Sequence, residues 1–389
     1  MWSSAFGGGG TMPRALASVL LLLISFPLWA QPPHPILALG SPAPEFALPG
    51  VDGKLHKLGD YANYPVLAVI FTCNHCPIAQ MYEQRIERLY EDYGNKGVAV
   101  VAIQGNDPRA IRIDELDSSD VSDTLDDMKI RVAYKHLHYP YLYAGDTPSV
   151  TSAYGPQATP HVFIFDKTRH LRYQGHFDNS YRIEKVRTHD AQNAIDALLA
   201  DKPVTLTHTG VFGCSTKWPE KAAQREEAER KIESAPVHLD KVDTAGLKKL
   251  RANHGSEVTL VDFWATWCGP CVAEFADLQD TYRMYSNREF NLVTVSVNMP
   301  DEEAAVTRFL QKKHATSRNF LFGSDETEEL QAAFDPGWQS AVPYTIVLGP
   351  DGNVIYKTLG SVDVLELRRK ILAAMPSAYI GFNRYWAGN

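Results

Sequence analysis

Val258-Thr-Leu-Val-Asp-Phe-Trp-Ala-Thr-Trp-Cys-Gly-Pro-Cys271 is the stretch on which the reading of this chain turns. An apolar, β-branched run reads as a buried strand, and the residues after Cys271 read as a helix. A cysteine where a strand meets a helix N-terminus is placed to be reactive, because backbone N–H groups and the helix dipole favour its thiolate. Further on, Val342-Pro343 opens a second apolar run, Tyr344-Thr-Ile-Val-Leu348. The same order occurs earlier in the chain. Val66-Leu-Ala-Val-Ile-Phe71 leads to Cys73-Asn-His-Cys76, and Thr159-Pro160 opens His161-Val-Phe-Ile-Phe165. In each copy a tyrosine of the final strand, Tyr173 or Tyr356, lies 13 residues after the proline. This is a tandem repeat.

The chain has 389 residues, enough for two domains with their own cores. Its formal charge of −8 argues against a general nucleic-acid binder. At the N-terminus, Arg14 precedes the apolar stretch from Ala15 to Trp29, which ends at Ala30. That pattern reads as a secretory signal over residues 1–30, with an N-terminal membrane anchor as the outcome if it is not cleaved. A periplasmic or otherwise exported location follows, where disulfides persist.

Alternating strands and helices imply an α/β fold, two tandem α/β sandwich domains. The first spans residues 41–218, and residues 104–128, rich in Asp, read as an exposed insertion in it. Residues 219–236 read as a charged helical linker with opposite charges at i,i+4. The second domain spans 237–378, and an aromatic tail over 379–389 follows.

The run Val261-Asp-Phe-Trp-Ala-Thr-Trp-Cys-Gly-Pro-Cys271, with Val342-Pro343, resembles the thioredoxin signature. The second domain is similar to exported, membrane-anchored thioredoxins that serve cytochrome c maturation, which carry a Glu shortly after the motif, here Glu274. The first resembles the redoxin branch of that superfamily, related to peroxiredoxins and alkyl hydroperoxide reductases. Both domains are therefore expected to be thioredoxin-like.

The resemblance implies a thiol–disulfide oxidoreductase in which Cys268 and Cys73 attack and Cys271 and Cys76 resolve. Asp262, costly to bury when charged, is expected to take the proton of Cys271, and Glu274 is given the same role. Pro343, expected to be cis, and Pro160 would border the substrate site, together with Trp267. The first motif lacks the aspartate, with Leu67 in its place by motif register, and gains His75. An imidazole there would stabilise the Cys73 thiolate and make that couple the more oxidising one. Electrons would then run from Cys268/Cys271 toward Cys73/Cys76.

The fifth cysteine, Cys214, is open to three readings: a resolving thiol for Cys73, an intermolecular bridge, or a buried thiol packed by Phe212 and Trp218. Zinc on Cys73, His75, Cys76 and Cys214 is disfavoured, because neighbouring residues 75 and 76 rarely point at one metal; no metal is expected. Haem attachment needs His after the second cysteine, where Pro77 and Val272 stand. His136, His138, His161 and His176 show no ligand spacing and read as loop or surface residues. A peroxidase is the rival function of the first domain, although Ile70 and Val66 occupy the places of the peroxiredoxin Thr/Ser and Pro. A non-enzymatic chaperone or scaffold is the third class. No cofactor is expected beyond the dithiols. The expected partners are protein disulfide or dithiol substrates and an upstream periplasmic or membrane thiol reductant.

Overall fold

A computed structural model describes residues 34–375 except Ser256. The signal and anchor of residues 1–30 and the tail of 379–389 lie outside the described residues. Among the described residues no helix is long and apolar enough to cross a membrane.

The first half is built on a five-stranded sheet in the spatial order Tyr141–Tyr143, Val98–Gln104, Val66–Thr72, His161–Phe165, Leu171–Gly175. The second half has a six-stranded sheet in the order Asp240–Val242, Arg318–Phe322, Phe290–Ser296, Val258–Trp264, Tyr344–Leu348, Val354–Leu359. In both, the strand before the cysteine motif is central. It pairs parallel to the strand after the motif helix and antiparallel to the strand opened by the X-Pro. Both X-Pro bonds, Thr159-Pro160 and Val342-Pro343, are cis. The repeat extends to a register irregularity, which falls at Ile164/Phe165 in one half and at Val347/Leu348 in the other.

Each central strand is buried on both faces, as a sheet covered by helices requires. Side chains alternate between faces. Val66, Ala68 and Ile70 meet Ile78, Tyr82 and Ile86 of the helix Pro77–Gly94, whereas Leu67, Val69 and Phe71 join a separate cluster with Tyr154 and Phe163. In the second half Leu260 and Trp264 face the helix Gly269–Tyr285, and Val261 and Phe263 face the other way.

The Asp-rich segment 104–128 is not the exposed insertion that its composition suggests. Gln104, Asn106, Asp107, Ser119, Asp120 and Asp123 are all buried. They are satisfied by hydrogen bonds, which makes burial of polar groups tolerable. The helix Ala222–Glu233 carries the expected Arg225–Glu229 and Lys231–Glu227 pairs. It also touches both halves, through Arg225 Nη1 to the Pro108 carbonyl at 3.1 Å and His314 Nδ1 to the Glu233 carbonyl at 2.9 Å. His161 is likewise not a surface residue. It is fully buried, accepts the Gln157 N–H at Nδ1 and bonds Gln174 Oε1 through Nε2. Burial pulls its pKa down to about 4, so it is a neutral core group.

Candidate active sites

Both cysteine motifs lie where the central strand meets its helix, but not in the same place. The strands end at Thr72 and Trp264 and the helices begin at Pro77 and Gly269, so each gap holds four residues. In the first half the whole motif, Cys73-Asn-His-Cys76, fills the gap. In the second, Ala265-Thr266-Trp267-Cys268 does, and Cys271 lies inside the helix. The residue capping the helix is therefore Cys76 in one half and Cys268 in the other.

Sheet register agrees with this three-residue offset. Phe71 pairs with His161 and Phe263 with Tyr344, the residues after the two prolines. Ile70, not Leu67, is thus the counterpart of Asp262, and Ala79 is the counterpart of Cys271. The expectation that Cys73 has the helix terminus beside it is corrected: Cys76 has it. The signal was Pro77, since proline favours the first helical position and so places the cap one residue earlier.

In the second site Cys268 and Cys271 form a disulfide, and the Cys271 N–H points at Cys268 Sγ at 3.3 Å. Asp262 lies on the strand face shared with Leu260 and Trp264, and the Thr345 hydroxyl donates to its Oδ1 at 3.1 Å. Burial first, then the charge of Glu274, raise its pKa to about 8, against the Thr345 hydrogen bond. Glu274 is buried, and its Oε2 accepts the Val362 N–H at 3.0 Å while Oε1 has no partner among the described residues. Burial raises its pKa as well. Val342 packs on the cluster that contains both cysteines. Trp267, in the residue before the cap, is 63% exposed.

In the first site the residue before the cap is His75, and it is buried. Asp123 holds it there: Oδ2 accepts from His75 Nδ1 at 2.7 Å, and Oδ1 accepts the backbone N–H groups of Asn74 and His75. Asn106 Nδ2 also donates to Oδ2, at 2.9 Å. Burial alone would lower the His75 pKa, but the charge of Asp123 outweighs it and raises it; the same pairing lowers that of Asp123. His75 Nε2 has no partner among the described residues. Sequence reading missed Asp123, because nothing in a polar Asp-rich segment marks which carboxylate folds inward. Cys73, His75 and Asp123 bring ligand-type atoms within 4.8 Å of one another. The carboxylate oxygens are committed to these N–H donors, so the trio is accounted for as a hydrogen-bonded cluster.

Cys73, Cys76 and Cys214 are free thiols. Cys76 Sγ accepts N–H groups from Ala79 at 3.5 Å and Cys214 at 3.3 Å. It also lies 3.4 Å from the Thr159 carbonyl, a bond it keeps only while it carries a proton. Cys73 Sγ lies 3.2 Å from Thr159 Oγ1. Burial pushes the Cys76 thiol up. Hydrogen bonds from the Cys214 and Cys73 thiols, the His75 charge and the Ala79 N–H outweigh that, and hold it well below the usual thiol range. Cys73 is raised by burial first, then by its hydrogen bond to Cys76 and the negative Asp123. The N–H groups of Ala79 and Cys214 and the charge of His75 favour a thiolate on Cys76, whereas the sequence reading set His75 to support one on Cys73.

Two halves that each set a cysteine at a strand–helix junction, beside a strand opened by a cis-proline, define a tandem thioredoxin-like protein. A family model described as Redoxin matches residues 38–194 and 237–371, and the chain belongs to that family. It is 26% identical over 120 residues to the thiol-disulfide oxidoreductase ResA of Bacillus subtilis (strain 168), covering 31% of this chain and 63% of that protein. It is 28% identical over 122 residues to the thiol:disulfide interchange protein CycY of Rhizobium leguminosarum bv. viciae, covering 31% and 60%. The chain thus spans about three-fifths of the length of either relative. Among solved structures, a hypothetical protein SMc02350 from Sinorhizobium meliloti 1021 is 33% identical with a TM-score of 0.41, covering 47% of this chain and 95% of that one.

Proposed function

We propose that the chain is an exported thiol–disulfide oxidoreductase with two dithiol centres of different construction. The observation that carries this reading is the pair of helix-capping cysteines, Cys76 and Cys268, each with a second cysteine three residues away. The names of ResA and CycY support this chemistry for the chain. In the second half, Cys268 is the attacking thiol and Cys271 the resolving one. Asp262, which carries its proton at neutral pH more readily than an ordinary carboxyl, exchanges that proton with the departing or attacking Cys271, and Glu274 keeps it raised. The exposed Trp267 and the Pro343 edge form the docking surface for a protein disulfide. An upstream dithiol, outside this chain, supplies electrons.

In the first half Cys76 carries the reactive thiolate, because the cap, the N–H donors and His75 all act on its sulfur. A lowered thiol pKa stabilises the reduced form, so this couple is the more oxidising of the two. A direct relay between centres must use another arrangement or another molecule. The halves touch through the end of the second motif helix remote from Cys268, 17 residues and roughly 25 Å along its axis.

Insulin reduction by the full chain tests the oxidoreductase reading. Cys268→Ser is expected to abolish reduction by the second centre, and an undiminished rate would contradict it. Peroxide consumption that survives Cys268→Ser would instead favour the peroxidase reading of the first half. Export is tested by the N-terminal sequence of protein recovered from the periplasm, expected to begin near Gln31.

A further inference from the structure

The second centre has its resolving cysteine one helical turn beyond the cap, and the first does not. The counterpart of Cys271 is Ala79, a fully buried core residue. A different thiol lies beside Cys76. Residues Cys214–Ser215 form a short strand antiparallel to Ala158–Thr159, with Thr159 opposite Cys214. This pairing seats the Cys214 N–H on Cys76 Sγ at 3.3 Å, across 138 residues of sequence. The preceding residue is fitted to that approach. Gly213 has φ of +138°, and a Cβ there would stand 2.0 Å from the Thr159 carbonyl oxygen, so only glycine allows the segment to lie so close. Access differs among the three sulfurs as well. Cys73 and Cys76 are 2% and 0% exposed, whereas Cys214 is partly open to solvent.

We propose that Cys214 is the exchange thiol of the first centre, through which the buried Cys76 forms a reversible Cys76–Cys214 disulfide. This rests on the reading of that centre as a redox dithiol and names the thiol that completes it. A disulfide R–S–S–R meets Cys214 first, since it is the least buried of the three cysteines. The Cys214 thiol forms Cys214–S–S–R, and one R–SH leaves with the proton that Cys214 gives up. The Cys76 thiolate then attacks the Cys214 sulfur, a Cys76–Cys214 bond forms, and the second R–S⁻ departs and takes a proton from solvent. Two protein thiols are oxidised and one external disulfide is reduced to two thiols. Attack of Cys73 on Cys76 moves the bond to Cys73–Cys76 and frees Cys214, which takes up the proton that Cys73 releases. The three sulfurs thus pass one disulfide between a buried and an accessible position.

The full chain carrying Cys268→Ser and Cys271→Ser isolates this centre. It is treated with oxidised glutathione, alkylated with iodoacetamide and digested without reduction, and its linked peptides are identified by mass spectrometry. A Cys76–Cys214 link is expected, and it should dominate when Cys73→Ser is added. Cys214→Ser is expected to slow oxidation of the remaining pair by about tenfold or more, because the accessible sulfur is gone. Cys76 and Cys214 both remaining free in the Cys73→Ser protein, or an unchanged rate in Cys214→Ser, would overturn the proposal. If Cys73–Cys76 still forms in those cases, the dithiol reading survives and only the role of Cys214 fails. If no disulfide forms among the three in the folded chain but does after denaturation, the dithiol reading itself fails.

Discussion

Asp262 is an acid that the folded state keeps protonated over a wide range. Its unfolded pKa is about 3.9 and its folded one about 8. Between those values the native protein holds a proton that the unfolded chain has released. Stability therefore falls as pH rises from about 4 to about 8, by up to about 1.4 kcal/mol per pH unit, and then levels off. Asp262→Asn is expected to remove this slope, so denaturant midpoints of wild type and variant should diverge steadily toward pH 8 in favour of the variant. The same substitution should slow dithiol–disulfide turnover at the second centre by roughly 10²-fold at neutral pH, the scale of a lost acid–base group. Asp123 acts in the opposite sense. It is a buried carboxylate kept ionised by His75 and by backbone and Asn106 N–H donors. Asp123→Asn breaks a buried pair and should cost about 3–5 kcal/mol in urea unfolding. It should also raise the Cys76 thiol pKa, because an unpaired buried His75 gives up its charge. Asp262 was legible in the sequence, as a charge inside an apolar strand. Asp123 was not, because its partners come from residues 74, 75 and 106 and only the fold brings them together.

At the scale of elements, the two halves show how one proline moves the chemistry. Pro77 follows its cysteine and starts the helix there, whereas Pro270 lies between its cysteines and the helix starts at Gly269. Motif spacing in sequence made the two copies look superposable from Cys73 and Cys268. Strand pairing shows Cys76 to be the match of Cys268. The repeat, the central strands and the cis-proline strands could all be read from apolar periodicity, since buried strands need it whatever the site does. The short strand Cys214–Ser215 could not, because two residues carry no periodic signal. Its one local mark is Gly213. Gly213→Ala is expected to destabilise the chain by about 1–3 kcal/mol through a left-handed backbone and a clash with Thr159. It should also raise hydrogen exchange at the Cys214 N–H, which now bonds Cys76.

At the scale of the whole molecule, the Asp-rich segment joins the halves. Tyr285 at the end of the second motif helix donates to the Ser119 carbonyl at 2.8 Å, and Arg288 to that of Asp117 at 2.8 Å. Asp120 pairs with Arg369 at 2.6 Å and with Arg131 at 3.4 Å, and Arg369 lies over the Tyr134 ring at 3.8 Å. Only Val121 and Ser122 lie between Asp120 and Asp123, so the segment that fixes His75 also holds the second half in place. Arg369→Gln is expected to loosen the halves and expose residues 219–236 to protease, with cleavage in limited proteolysis several-fold faster than in wild type. Composition concealed this role. Acidic stretches read as solvated, and here the Asp120 carboxylate and the backbone carbonyls of Asp117 and Ser119 accept from Arg369, Arg288 and Tyr285 of the other half.

The central claim is that the first centre works through Cys76. Thiolate ultraviolet absorbance, followed against pH in the full chain bearing Cys268→Ser and Cys271→Ser, tests it most directly, with Cys73→Ser or Cys76→Ser added in turn. The protein that retains Cys76 is expected to ionise a thiol well below the ordinary value of about 8.5, and the one that retains Cys73 is not. The reverse order, with the low ionisation surviving loss of Cys76 and vanishing with Cys73, would contradict the account.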